Sequence, residues 1–154
     1  MSKNEAKRLT EYALKLLGRK SYSEAQIREK LSAKTTDKNC VDEAVKNLRS
    51  WRLIDDLEFA KGFIRNSLLV RPKGVRRLKF ELTAKGVNKD IVEEAILVEY
   101  PADQTDALVF LAQKKLAGLG NLPREKKYQR VMGFLLRRGF GYDEVKRIMA
   151  KILD

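Results

Sequence analysis

Leu78-Lys-Phe-Glu-Leu-Thr-Ala-Lys-Gly-Val-Asn-Lys-Asp-Ile-Val-Glu-Glu-Ala-Ile-Leu-Val-Glu99 holds two amphipathic segments and the turn that joins them. Leu78 and Leu82, four residues apart, share one helical face, and Lys85 before Gly86 is the basic last turn and glycine of a helix C-terminus. The stretch is not unique in the chain. Ile27 to Leu48 lies over it with a shift of 51 and no gap: Ile27 meets Leu78, Leu31 meets Leu82, Lys34 meets Lys85, and Asp42-Glu-Ala-Val45 meets Glu93-Glu-Ala-Ile96. A further shift of 53 puts Val131, Leu135, Arg138, Gly139 and Val145 over Leu78, Leu82, Lys85, Gly86 and Val92. One such unit, of about 50 residues, buries little apolar surface alone, so stacked copies are the stable arrangement. The expected fold is all-α: three tandem three-helix repeats over residues 1–54, 55–100 and 101–154.

The same helical spacing recurs along the rest of the chain, and alternating strand patterns do not. Leu9, Tyr12, Ala13, Leu16 and Leu17 line one face before Gly18, which offers a left-handed stop. Ser23-Glu-Ala-Gln26 and Asp55-Asp-Leu-Glu58 read as capping boxes. Asp103 after Pro101 can cap another start, and Pro123 suits a first turn. The spacing predicts nine helices, over 5–18, 23–34, 39–51, 55–68, 73–85, 89–99, 103–118, 123–138 and 142–153. With 9 Gly and 3 Pro in 154 residues, turns are few, as long helices require.

Composition excludes several kinds of chemistry. There is no His and one Cys, Cys40, so a His-based triad, an imidazole shuttle, a His or Cys zinc cage and an internal disulfide are ruled out. Cys40 falls on an apolar stripe, which fits a small core residue in a reducing cytoplasm. The Gly118-Leu-Gly120 and Gly139-Phe-Gly141 pairs lack the third glycine and the preceding strand of a dinucleotide loop, and no Gly-Lys-Ser/Thr occurs. No catalytic residues, cofactor or metal site are expected. The charged start lacks an apolar stretch behind it, and the longest apolar run is Ala107–Ala112, so a soluble cytoplasmic protein is expected.

What remains is charge. The chain carries 33 Lys and Arg against 21 Asp and Glu, a formal +12. Residues 55–100 are nearly neutral, with 9 basic and 8 acidic side chains, yet Arg71, Lys73, Arg76, Arg77 and Lys79 stand within nine residues that hold no acid. A second concentration comprises Arg124, Lys126, Lys127, Arg130, Arg137 and Arg138. Such clusters neutralise phosphates and release counterions, and the same field steers the chain toward acidic protein surface. Tyr12, Trp51, Phe59, Phe63, Phe80, Phe110 and Phe134 fall on or beside apolar stripes and are expected in the core. Tyr22, Tyr128, Phe140 and Tyr142 are the candidates for stacking on bases.

Trp51-Arg-Leu-Ile-Asp-Asp-Leu-Glu-Phe-Ala-Lys-Gly-Phe-Ile64, followed by Lys73-Gly-Val-Arg-Arg-Leu-Lys-Phe-Glu-Leu-Thr-Ala-Lys-Gly-Val87, resembles the RecX family of bacterial recombinase regulators. Asp55, Asp56, Phe59 and Ala60 match the first half of that signature. Lys73, Gly74, Arg77, Leu78, Glu81, Leu82, Lys85 and Gly86 match the second at the family's spacing. Residues 23–31 look like the family's first unit and 127–140 like its third. Asn66-Ser-Leu-Leu-Val-Arg71 departs from it, being less basic and more apolar than the family tends to be.

The resemblance implies an extended, curved array of the three repeats. It also implies a monomer that lodges in the groove of the RecA–single-stranded-DNA filament and inhibits ATP hydrolysis, strand exchange and coprotease activity, with consequences for recombination, DNA repair and the SOS response. The residues expected to face RecA or DNA, single-stranded and secondarily double-stranded, are Arg71, Lys73, Arg76, Arg77 and Lys79. Arg124, Lys127, Arg130, Arg137 and Arg138 come second. The competing expectation is a basic helical protein that binds DNA without RecA.

Overall fold

The computed structural model describes residues 2–153, and among these there are nine α-helices and no strand. They are α1 Ser2–Leu17, α2 Glu24–Ser32, α3 Lys38–Ser50, α4 Asp56–Val70, α5 Val75–Ala84, α6 Lys89–Glu99, α7 Thr105–Ala117, α8 Arg124–Arg137 and α9 Tyr142–Leu153. The fold class read from periodicity is the one observed.

The helix starts follow their capping side chains. Ser23 accepts the Gln26 amide at 3.2 Å while the Gln26 side chain accepts the Ser23 amide at 3.0 Å, so both halves of the box form. The Ser23 hydroxyl also donates to the Lys85 carbonyl at 2.5 Å. Of the second box, the carboxylate half is present: Asp55 accepts the Leu57 and Glu58 amides at 3.0 and 3.2 Å. Its neighbour Asp56 accepts the amide of Glu24, the first residue of α2, at 2.9 Å. The adjacent acids thus serve two helices. Asp103 accepts the Thr105 amide at 2.9 Å, and Pro123 stands at the N-cap of α8.

Most boundaries shift by one to three residues, and two of the departures have a visible local cause. Helix α5 starts at Val75 rather than residue 73: Gly74 caps it, its carbonyl accepting the Leu78 amide at 3.1 Å while its own amide, which has no acceptor within the helix, donates to the Arg138 carbonyl at 2.8 Å. Gly18 is not left-handed, since Gly86, Gly120 and Gly139 are the glycines with positive φ among the described residues. The end of α1 closes instead through Gly18 to Leu14 and Arg19 to Leu16 amide–carbonyl bonds, both at 3.0 Å.

The chain divides into two compact units, residues 1–62 with 82–95 and residues 63–81 with 96–154. The core of the first joins Ala6, Leu9 and Ala13 of α1, Ile27 and Leu31 of α2, and Cys40, Val41, Ala44, Val45 and Leu48 of α3. The core of the second joins Leu108, Leu111 and Ala112 of α7, Val131 and Leu135 of α8, Phe140, and Val145, Ile148 and Met149 of α9. Burial of this kind contributes about 1.5–3 kcal/mol for each large apolar side chain. No helix of the described residues is long and apolar enough to cross a membrane.

Candidate polyanion-binding site

All ten cations singled out in the sequence belong to the second unit. The structure gathers five of them. Arg71, Lys73, Arg77, Arg137 and Arg138 line one groove of about 550 Å³, together with Asn66, Ser67, Val70, the rings of Phe63 and Phe134, and a single carboxylate, Glu81. Arg76, Lys79, Arg124, Lys127 and Arg130 are not among its lining residues; all are exposed except the half-buried Lys127.

The groove stands on a backbone seam. The loop after α4 runs through Pro72 to Gly74, and three bonds tie it and the start of α5 to the end of α8. These are Gly74 amide to Arg138 carbonyl at 2.8 Å, Arg76 amide to Gly139 carbonyl at 3.3 Å, and Arg138 guanidinium to Pro72 carbonyl at 2.8 Å. The Tyr100 hydroxyl donates to the Lys73 carbonyl at 3.0 Å, and burial raises the Tyr100 pKa, with Glu144 adding to the effect. Only glycine fits the seam. A Cβ on Gly74 would come within 2.1 Å of the Gly139 carbonyl, and one on Gly139, at φ +96°, within 2.4 Å of the Arg77 Cβ.

Glu81 organises two of the cations. Lys73 Nζ lies 2.7 Å from one of its oxygens and Arg77 Nε 3.0 Å from the other. Burial alone would raise the Glu81 pKa, but the hydrogen bonds from Lys73 and Arg77 outweigh it and hold the carboxyl below its ordinary range. Lys73, expected to be exposed, is therefore half-buried and ion-paired, with its ammonium also 5.5 Å from the centre of the Phe63 ring.

The other cations outnumber the acid available to them. Arg138 Nε is buried and without a hydrogen-bond partner among the described residues. Its guanidinium titrates below its ordinary range, first because it is buried and next because of the Arg71 charge; Glu81 opposes this and Arg77 adds to it. Guanidinium stays charged at neutral pH, so the shift expresses first the cost of burying that charge and second the neighbouring positive charge, which an incoming anion offsets. Planar guanidinium forks suit phosphate and carboxylate oxygens alike.

The aromatic expectations need correction. Trp51, Phe80 and Phe110, expected in the core, are 54, 68 and 60% exposed. Phe140, expected as a stacking platform, is 1% exposed, and Tyr22 and Tyr128 are half-buried; Tyr142 alone of that set is exposed. Apolar spacing identifies a helix face but not whether another element covers it. Sequence reasoning also missed Glu81 as the hub of the groove. The Arg77–Glu81 spacing of four is a legible helical pair, whereas Lys73 reaches Glu81 from the loop.

In the first unit, Glu5, Asp37 and Cys40 bring a thiol and two carboxylates together. The Cys40 thiol donates to Asp37 at 3.3 Å, and Asp37 caps α3 through the Asn39 amide at 2.9 Å. Burial, then Asp37 and Glu5, push the thiol up to about 11, so it is a poor nucleophile at neutral pH.

Nine successive helices among the described residues, with a cationic groove in the second compact unit, describe an all-helical protein with an anion-attracting surface. Three profiles match in succession: the first three-helix domain of RecX over residues 10–48, the second over 55–96 and the third over 102–149. Regulatory protein RecX of Chlorobium limicola is 33% identical over 99% of this chain and 92% of its own length. That of Prosthecochloris aestuarii is 31% identical over 99% of each. The crystal structure of RecX from Lactobacillus salivarius superposes with a TM-score of 0.85 over 97% of each chain, at 23% identity. The chain belongs to the RecX family.

Proposed function

We propose that this chain is a regulatory protein of the RecX type that binds RecA and its filaments on single-stranded DNA, and mainly inhibits their ATPase, strand-exchange and coprotease activities. The groove of Arg71, Lys73, Arg77, Arg137 and Arg138 around one carboxylate carries this reading, because it places more positive charge than the chain itself neutralises. A field of this kind draws in phosphate or acidic protein surface. Arg76, Lys79, Arg124, Lys127 and Arg130 add exposed or half-buried positive charge to the same compact unit. Contacts spread along a filament add through effective concentration, so individually weak ones suffice. The reading requires no reaction of the chain's own and places it in the cytoplasm, where RecA acts.

The test is single-stranded-DNA-dependent ATP hydrolysis by the cognate RecA, titrated with this protein at two salt concentrations. Inhibition is expected at well below one molecule per RecA, and excess bare DNA should not relieve it. The double variant Arg71→Glu, Arg137→Glu changes two exposed side chains and should weaken inhibition while leaving helix content intact. If neither protein affects hydrolysis, yet the parent binds DNA alone with a salt slope near 0.7 per neutralised phosphate, the stand-alone DNA-binding reading replaces this one.

A further inference from the structure

A second groove in the same unit, of about 440 Å³, has a different character. Its apolar wall is Val70 at the end of α4, Phe110 and Leu111 of α7, Leu119 and Phe134, and its cations are Arg71, Lys114, Lys115 and Arg138. No carboxylate lines it. Phe110, Leu111, Lys114 and Lys115 lie on one stripe of α7 at three- and four-residue spacing, so the helix itself sets apolar and cationic groups side by side. Val70 and Phe110 are 69 and 60% exposed, which leaves large apolar surface facing solvent at a cleft.

We propose that this groove docks a segment of a partner protein that carries one bulky apolar side chain between carboxylates. The apolar side chain packs against Val70, Phe110 and Leu119, and its flanking acids pair with Lys114, Arg71 and Arg138. Charge complementarity selects the acidic flanks, since the lining is cationic throughout its charged part. Nucleic acid fits less well. Lys115 and Arg138 already stand over the Phe134 ring, at 5.3 and 6.0 Å from its centre, where a base would have to stack. A phosphodiester backbone brings nothing apolar to cover Val70 and Phe110. The site goes beyond the filament reading, because it specifies the chemistry of a bound peptide whether or not RecA supplies it.

Fluorescence anisotropy with the full chain tests this directly. The probe is a fluorescein-labelled peptide of about a dozen residues, with Leu-Phe at its centre and Asp or Glu on both sides. It should bind. Replacing Leu-Phe by Ser-Ser should weaken binding about tenfold or more, the loss expected for one buried apolar anchor. Replacing the acids by their amides should weaken it and remove its salt dependence. Phe110→Ser and Val70→Ser, in different helices, should each cost about tenfold; both positions are exposed, and a thermal melt reports any loss of fold. No binding of the acidic Leu-Phe peptide overturns the proposal. Equal binding of the Ser-Ser peptide overturns it too, since charge alone would then account for the affinity. If Phe110→Ser instead abolishes oligothymidylate binding and spares the peptide, the groove belongs to nucleic acid. RecA hydrolysis plays no part in this assay, so its outcome is separable from that of the filament reading.

Discussion

Arg52 holds the left-handed conformation at φ +57°, the only non-glycine among the described residues to do so. It follows α3, where the Leu53 amide reaches back to the Leu48 carbonyl at 2.9 Å. Gly86 and Gly139 occupy the same position after α5 and α8, with matching Val87 to Leu82 and Phe140 to Leu135 bonds at 3.1 and 3.3 Å. Three helices therefore end in one Schellman-type closure, and one of the three fills it with a strained residue. Arg52→Gly should raise stability by about 1 kcal/mol in urea unfolding, despite glycine's greater freedom in the unfolded chain. Gly74 is the opposite case, because its Cα faces the Gly139 backbone. Gly74→Ala should cost about 3 kcal/mol by the same measurement. Nothing about Gly74 in the sequence distinguishes a turn residue from a packing residue; its partner lies more than sixty positions away and only the fold brings them together.

At the scale of elements, helix existence was legible and helix environment was not. Periodicity located each helix to within a few residues, and the Ser23 and Asp55 signatures located two starts. Periodicity could not tell that Phe110 of α7 faces solvent while Leu108 and Leu111 of the same helix are buried, because all three lie on apolar arcs and only a packing partner decides between them. The acidic residues that join elements carry a pH signature. Glu24 is held below its ordinary value of 4.5, chiefly by the Arg49 hydrogen bond and then, against the opposing effect of burial, by Arg28. Glu81 is likewise lowered, its bonds to Lys73 and Arg77 outweighing burial. A carboxyl whose pKa falls on folding adds stability above its unfolded pKa and loses it as pH drops through the folded one. Stability should therefore decline below about pH 4.5, and Glu81→Gln should flatten that decline while lowering stability at pH 7. Chemical denaturation across pH 3–7 checks both.

For the whole molecule, net charge by itself points to an anionic partner, and repeat spacing by itself points to three units. Neither could say which cations would converge. Charge density along the chain ranked Arg71 to Lys79 together, but Arg76 and Lys79 do not line the groove, and Arg137 and Arg138 from α8 and its end do. That recruitment depends on the relation between distant segments, which local sequence does not encode. Replacing Arg76 and Lys79 by Gln should therefore reduce affinity for oligothymidylate less than replacing Arg71 and Arg137 does, by about tenfold in Kd at low salt. Equal losses in a salt-controlled titration would show that total charge, not the groove, governs binding.

The seam between Gly74 and Arg138 also has a dynamic consequence. Connecting segments ordinarily exchange their amide hydrogens with solvent quickly, because they open without disturbing the rest of the fold. Gly74 lies in such a segment, yet it is buried and its N–H is held by the end of α8 at 2.8 Å. Its deuterium uptake should follow the slow kinetics of α8 and lag well behind that of the exposed tail of α4. With that outcome, the cations beside it ride on a surface loop that opens together with the end of the helix it is bonded to.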